Sequence, residues 1–511
     1  MSLTLSYPGV YVTEVPGGSR TLTGVATSIT AFVGRTLAGP VDEPIQIENF
    51  ADFERTFGGL WRLSGLSYAV RHFYLNGGGT ALVVRVASGA VTAELDLGTV
   101  TLSAIGPGIR ANSMSVTVTH PDPADAAEIA TSQGGDITAD DLFNLEIRAD
   151  QDSPVADETF LNLTVKEGPR QVDLVLLGSR FLRASGLGAT APAATVYPVT
   201  TDGTDGAVPD TDDYAGTGYE AAKRGLYALE KADLFNILVL PPSAPDGDAP
   251  DDLWLSALAY CRKRRAFLVV DPPQASTLDT VKTWAGGTAG LAGTDTRNAA
   301  LYFPRIRSAD PLRGGASADF AAGGAIAGIA ARTDASRGVW KAPAGIEAGI
   351  NGAGGLSLPL TDGENGQLNP VGINCLRTFR VIGPVVWGAR TLRGADVLAD
   401  EYKYVPVRRF ALFLEESLYR GTQWVVFEPN DRPLWAQIRA SIGAFMQDLF
   451  RQGAFQGATP RDAYFVRCDE ETTTQYDIDR GIVNINVGFA PLKPAEFVVI
   501  SVQQKTAEAG A

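Results

Sequence analysis

Between Gly218 and Phe303 the sequence switches repeatedly between a helical repeat and a short apolar run, and that alternation confines this stretch to strands joined by helices. Tyr219, Ala222, Leu226 and Leu229 fall on one helical face. Ile237 to Leu240 follows as a buried strand that Pro241-Pro242 stops, then a helix over roughly 251–264, then the strand Ala266-Phe-Leu-Val-Val270, ended by Asp271-Pro-Pro273. A third helix begins near Ser276, with Asp279 as a capping-box-like partner, and Ala299 to Phe303 gives a third strand. Strands separated by whole helices cannot be hairpin neighbours, so the expected product is a parallel sheet with helices on its faces.

Such sheets bind ligands beyond the carboxyl ends of their strands, where Asp271 lies. A hydrolytic site there needs a base beside a nucleophile, yet the two histidines, His72 and His120, are both outside the α/β stretch, and no G-x-S-x-G elbow occurs. Ser67 and His72 are five apart on an expected helix, about 140° around its axis, so His72 reads as an ordinary helix residue. The glycine-rich stretches Asn76 to Gly79 and Gly352 to Gly355 lack the G-x-x-x-x-G-K-[ST] pattern of a phosphate loop. Neither H-E-x-x-H nor C-x-x-C appears, and Cys261, Cys375 and Cys468 lie too far apart in sequence for a local metal or redox motif. The expectation is a non-enzymatic protein without catalytic residues, cofactor or metal. Two alternatives stay open: an α/β hydrolase-like enzyme, and a surface- or carbohydrate-binding module built on the insertion described next.

At 511 residues the chain exceeds a single core. Its expected fold class is mixed α/β and α+β, in several domains. Residues 1–24 read as a strand arm and linker, 25–90 as the first part of a core, 91–200 as a β-rich insertion, 201–368 as the α/β domain and 369–511 as the rest of the core with a second arm. In the first core segment, Ser28 to Val33 is an expected strand and Phe50 to Phe57 a helix. Another helix runs over Leu66 to Leu75, followed by the strand Ala81 to Val86. Period-two patterning in Ser113 to Thr119, Phe143 to Arg148 and Phe160 to Val165 marks the insertion as strand-rich.

The 43 Lys and Arg against 58 Asp and Glu leave a net charge of −15, which repels free nucleic acid. The one dense basic run, Cys261 to Arg265, fits a helix C-terminus. The acidic loop Thr201 to Asp213 lacks EF-hand spacing and reads as solvated. The first residues lack a signal-peptide pattern and no apolar run approaches 18 residues, so the expectation is cytoplasmic synthesis without membrane insertion.

Both ends of the chain are strand-prone. Val10, Tyr11, Val12 and Thr13 precede a Gly/Ser/Pro linker whose Pro16 to Thr23 can span roughly 25 to 30 Å. Near the other end Val483, Ile485, Val487 and Phe489 alternate with polar residues, and Phe497, Val498, Val499 and Ile500 form an apolar run. Between them, Asn430-Asp-Arg-Pro starts a helix whose stripe Leu434, Ile438, Ile442, Phe445 and Leu449 is apolar. Its other side carries Arg439, Gln447, Asp448 and Arg451, and Gly453 closes it. Terminal strands can add to the edge of a neighbouring molecule's sheet.

Several motifs occur in a familiar order. Tyr7-Pro-Gly-Val-Tyr-Val-Thr-Glu14 and Thr27-Ser-Ile-Thr-Ala-Phe-Val-Gly34 open the chain, and the stretch from Ala327 to Ala344 follows. Asn369-Pro-Val-Gly-Ile-Asn374, Val386-Trp-Gly-Ala-Arg-Thr-Leu392, Tyr404-Val-Pro-Val-Arg-Arg409 and Gly421-Thr-Gln-Trp-Val-Val-Phe-Glu-Pro-Asn430 come next. Gly453, Gly457, Ala463-Tyr-Phe-Val466 and Ala490-Pro-Leu-Lys-Pro-Ala-Glu-Phe497 complete the set. Over about 1–90 and 200–505 the chain resembles contractile tail sheath proteins of phages and extracellular contractile injection systems.

That resemblance implies a core of N- and C-terminal segments, a subtilisin-like three-layer α/β domain without its triad, and a variable insertion. It implies subunits stacked as sixfold rings around an inner tube, contracting to drive that tube through a target envelope. The terminal runs, with residues 10–13, 483–489 and 497–500, become inter-subunit links, and the polar side of the 434–452 helix becomes the surface facing the tube. The implied partners are further copies of the chain, the inner tube protein, and baseplate and terminal cap proteins. Nucleic acid is not implied. The implied location is cytoplasmic assembly into a phage tail or tail-like particle, released or docked at a membrane.

Overall fold

The computed structural model describes residues 21–134 and 136–501. Two compact units emerge, one over 27–409 and the other from the N-terminal segment up to Ala26 with Phe410 onward.

The larger unit is organised by one eight-stranded sheet. Its first strands are β1 (Thr30–Gly34), β2 (Pro44–Ile47) and β3 (Ala81–Arg85), with helices α1 (Phe50–Phe57) and α2 (Gly65–Leu75) between β2 and β3. Side chains start both helices: Asn49 accepts from the N–H of Asp52, and Ser64 from that of Ser67. The chain then leaves the sheet for an insertion and rejoins it at Ile237.

The insertion is leashed by paired outgoing and returning strands, with bridges at Ser88–Ala207, Val91–Thr204 and Glu94–Thr201. Its strands are β4 (Glu94–Asp96), β5 (Val100–Ala104), β6 (Ser115–Thr119), β7 (Phe143–Arg148), β8 (Glu158–Leu163), β9 (Leu182–Leu187) and β10 (Val196–Pro198), with helix α3 (Pro123–Gln133) after β6. They form two antiparallel sheets, ordered β4-β5-β9 and β10-β6-β7-β8. Leu95, Leu102, Val116, Val118, Leu145 and Ile147 share one apolar core between them. The buried Arg85 joins insertion to sheet, donating to the carbonyl oxygens of Gly39 at 2.7 Å and Pro107 at 2.6 Å.

The α/β alternation then runs β11 (Ile237–Val239), α4 (Leu253–Lys263), β12 (Phe267–Val270), α5 (Leu278–Gly286) and β13 (Ala299–Phe303). A side sheet follows, β15-β14-β16, from β14 (Ile306–Asp310), β15 (Ala316–Phe320) and β16 (Ala353–Leu356), with α6 (Gly323–Arg337) between its second and third strands. Finally β17 (Ile373–Phe379) and β18 (Gly383–Val386) close the main sheet, whose order is β18-β17-β13-β12-β11-β1-β3-β2. The six inner strands are parallel and the two edge strands antiparallel.

Alternate residues of these strands, among them Ala31, Val84, Leu238, Leu268 and Leu301, bury against α4 and α5 through Trp254, Leu258, Val281 and Trp284. On the opposite face Phe32 meets Phe73 of α2 at 5.5 Å between ring centres. A three-layer α/β body results. Strands β11 to β13 are as the sequence predicts. That β1, β3 and β17 join the same sheet was not visible in their local patterns.

Two local expectations fail. The helix expected through Tyr219 to Leu229 is broken: Tyr219–Ala222 is one short turn, Lys223 adopts φ 53°, and Gly225–Lys231 is a 3-10 helix. Gly225, at φ 56°, lies so close to the Tyr214 carbonyl that a Cβ there would overlap it, so the chain turns at a position that only glycine fits. The start of α5 is capped by Thr277 with Thr280 rather than by Ser276 with Asp279.

The smaller unit holds the end of α7 (Val405–Gly421), then α8 (Arg432–Arg451) and the hairpin partners β19 (Tyr464–Arg467) and β20 (Asn486–Phe489). Leu434, Ile438, Ile442, Phe445 and Leu449 are all buried, as the apolar stripe requires. Asp431 caps α8, with Pro433 in the first turn. The last part of the expected N-terminal linker is not free: Leu22 is buried against Gly421, and Val25 N–H donates to Ser417 Oγ at 3.1 Å.

Candidate assembly surface

β19 and β20 pair antiparallel, with Tyr464 opposite Phe489 and Val466 opposite Val487. Phe489 anchors the hairpin in an aromatic cluster, 5.4 Å from Phe410 and 6.3 Å from Phe455. This sheet has two strands, so among the described residues the outer edges of both carry no ladder. Of the expected linkage residues, Val487 and Phe489 lie in β20, whereas Val483 and Ile485 lie in the segment before it. The strand is shorter than its alternating pattern because the segment's own chain takes up its backbone groups. Ile482 donates to the Asp477 carbonyl and accepts from Asn430 Nδ2, and Asn484 N–H donates to Thr473 Oγ1.

Phe497, Val498, Val499 and Ile500 form no strand and are 75, 80, 88 and 81% exposed. Four consecutive apolar side chains in water are unusual in a folded chain. Val10, Tyr11, Val12 and Thr13 lie outside the described residues.

The polar side of α8 divides in two. Arg439 donates to the Cys468 carbonyl, and Gln447 Oε1 accepts from the Tyr464 hydroxyl at 2.9 Å, so both serve the unit's own packing. Asp448 and Arg451 form an exposed pair at 3.5 Å that leaves both side chains open to a partner.

Elsewhere the chemistry-bearing residues are engaged in the fold. Asp271 is buried at the carboxyl end of β12, where its Oδ1 accepts from the N–H groups of Ala322 at 2.9 Å and Gly323 at 3.0 Å, capping α6. Burial pushes its carboxyl up to about 6, against the opposing effect of Arg305 and those two N–H groups. His72 is buried with neither ring nitrogen bonded, and burial, aided by Arg71, pulls its pKa down to about 4. His120 Nε2 donates to the Pro192 carbonyl at 3.0 Å within the insertion. The basic run is neutralised: Arg262 pairs with Asp295, Lys263 with Glu220 and Glu230, and Arg264 donates to the Leu229 and Ala232 carbonyls. In the acidic loop Asp210 caps a short helix and Asp205 accepts from Ile109 N–H. No cluster of His, Cys, Asp and Glu among the described residues could hold a metal ion, and no described helix is long and apolar enough to cross a membrane.

Two family models match: the phage tail sheath protein central domain over residues 215–392 and the phage tail sheath C-terminal domain over 399–505, together more than half of the chain. A tail sheath protein of Vibrio phage KVP40 is 27% identical over 179 residues, 35% of this chain and 25% of that protein. A putative prophage major tail sheath protein of Pseudomonas aeruginosa is 28% identical over 176 residues, 33% of this chain and 42% of that protein. The chain thus aligns with less than half the length of either relative.

Among solved structures, the sheath complex of the extracellular contractile injection system PVC, in its contracted state, superposes with a TM-score of 0.59 at 23% identity, covering 99% of each chain. The contracted helical sheath of the anti-feeding prophage gives 0.58 at 22% identity, covering 98% of this chain and 100% of that one. The sheath tail protein of Listeria innocua gives 0.61 at 14%, covering 92% and 96%. These likenesses establish a shared fold over nearly the whole chain. Taken with the family models and the terminal hairpin, they place the chain in the contractile tail sheath protein family.

Proposed function

We propose that the chain is a structural subunit of a contractile sheath, of a phage tail or a tail-like injection system, that polymerises as stacked sixfold rings around an inner tube. The observation that carries this reading is the two-stranded β19–β20 sheet with open edges, in a chain whose 497–500 run is apolar and unpaired. A neighbour's terminal strands add to such an edge through backbone hydrogen bonds, each worth roughly 1 kcal/mol net. Four to six of them make a weak link, and repetition along the polymer makes it strong. Residues 10–13, 487–489 and 497–500 are the linking segments.

Contraction on this reading is mechanical. The extended packing is held by contacts to tube and baseplate, and a second packing of the same subunits lies lower in free energy. The α/β body is a subtilisin-like scaffold in which Asp271 caps a helix, and the insertion is a variable surface module. Asp448 and Arg451 on α8 face the tube. Partners are further copies of the chain, the tube protein, and baseplate and cap proteins, with assembly in the cytoplasm. Negative-stain electron microscopy of the protein alone and with its tube partner tests the reading. Striated hollow cylinders are expected; discrete monomers under both conditions would refute it.

A further inference from the structure

Resting on the sheath reading above, we infer that Phe427 is an inter-subunit anchor, receiving the apolar run Phe497 to Ile500 of a second copy beside the outer edge of β20.

Phe427 stands out among the described residues. It occupies the left-handed region at φ 71°, where a bulky side chain is strained, and its ring is fully exposed. Among the described residues nothing buries the ring to compensate that strain. Strain retained in a folded protein is held by the surrounding structure, and it gathers where a partner is engaged. Here the hold is visible: Glu428 N–H closes a turn on the Val425 carbonyl, and Asn430 ties the loop to the body. The left-handed turn aims Phe427 outward together with Val426, which is also exposed.

The loop's position identifies the occupant. Asn430 Nδ2 donates to the Ile482 carbonyl at 2.9 Å, and its Oδ1 accepts from Trp435 Nε1 at 2.8 Å. The loop is thereby fixed against the segment that enters β20 at Asn486. On this inference a strand arriving on that edge passes the loop that carries Val426 and Phe427, because Asn430 holds the loop to Ile482, four residues before β20 begins. The chain itself supplies an apolar strand-prone run, Phe497 to Ile500, that nothing among the described residues covers. Two apolar surfaces, each open in the single chain, bury one another when copies assemble. Backbone bonds alone accept a strand in any register, whereas a fixed ring beside the edge favours the register that seats an apolar residue against it.

The test uses the full chain and separates folding from assembly. Phe427→Asn keeps the turn, because Asn tolerates the left-handed region, and removes the ring. The expected result is an unchanged or higher melting temperature of the unassembled subunit, with at least a tenfold loss of sedimentable sheath. Phe427→Gly should behave alike. A lowered melting temperature with assembly intact would mark Phe427 as an internal packing residue and overturn the inference.

The occupant is tested by mixing two single variants, Glu428→Cys, which sits next to the anchor and leaves its ring in place, and Val499→Cys, and adding a short bis-maleimide. The three native cysteines are buried and should not compete. A cross-linked pair formed only in the mixture is expected, since each variant alone lacks the second thiol. A mixture that assembles without cross-linking, or a cross-link from residue 428 to the tube protein instead, would overturn it. Wild-type chain that forms no sheath at all would refute the underlying reading, whereas normal assembly of Phe427→Asn sinks only the anchor.

Discussion

Gly328 of α6 lies against the Phe73 carbonyl of α2 so closely that a Cβ built on it would overlap that oxygen and sit 2.9 Å from Asn76 Cβ. One turn earlier, Gly324 abuts the Ala69 carbonyl in the same way. The two helices touch backbone to backbone, and both contacts depend on hydrogen in place of a side chain. Gly328→Ala should therefore destabilise the protein by about 1 to 3 kcal/mol, the range for overpacking, although Ala is the better helix former. Urea unfolding measures it, and an unchanged midpoint would contradict the contact.

Arg409 and Asp334 form an ion pair at 2.6 Å with both side chains 4% exposed, and Arg409 also donates to the Thr27 carbonyl at 2.9 Å. Removing one partner strands a buried charge. Asp334→Ala should cost about 3 to 5 kcal/mol, while a paired apolar replacement of both residues should cost much less. A double-mutant cycle in urea distinguishes a coupled pair from two independent losses.

Asp271 and His72 give opposite pH dependences. Asp271 has a folded pKa of about 6, above its ordinary value of 3.8, so the folded state holds its proton more tightly. Its contribution is full below about pH 4 and is lost as pH rises through 6, on the order of 2 to 3 kcal/mol. Asp271→Asn should flatten the stability profile between pH 4 and 7.

His72 has a folded pKa of about 4, below its ordinary 6.5, so its contribution is present above pH 6.5 and lost as pH falls towards 4. Because neither ring nitrogen is bonded, His72→Leu should be neutral or stabilising at pH 7 by about 1 to 2 kcal/mol, and should reduce acid sensitivity. Thermal melts across that pH range check both variants, and a destabilised His72→Leu at pH 7 would point to a bond that the ring makes in solution.

Deleting residues 1–15, or residues 497–511, should leave the compact units folded and abolish long polymers. Circular dichroism and sedimentation read the two outcomes separately. Long sheaths from either truncation would show that the deleted arm is not a link.

Local patterns made much of this protein legible. The apolar stripe of α8, the helices over Phe50 to Phe57 and Leu66 to Leu75, and the strands β11 to β13 follow from spacing alone, because each repeat matches one period of a helix or a strand. The break after Ala222 was not legible: Lys223 and Gly225 both take positive φ and Gly225 lies against the Tyr214 carbonyl, which a helical repeat does not record. The alternating run from Ile482 overstated β20, since side chains of Asn430 and Thr473 claim backbone groups that the pattern offered to a ladder. Nor could spacing single out Phe427, whose φ reverses the usual reading of an apolar residue as buried.

The sequence by itself determined the α/β alternation and its parallel strands, the two strand-prone ends, and the ordered motifs that identify the family, because these are properties of neighbouring residues. Only the tertiary structure decided that β1, β3 and β17 share one sheet with β11 to β13, that Asp271 caps a helix, and that the 497–500 run is exposed among the described residues. The physical reason is distance along the chain: sheet order, the partner of a buried carboxylate and the exposure of a strand depend on which remote segments pack together, and a local period carries no record of that.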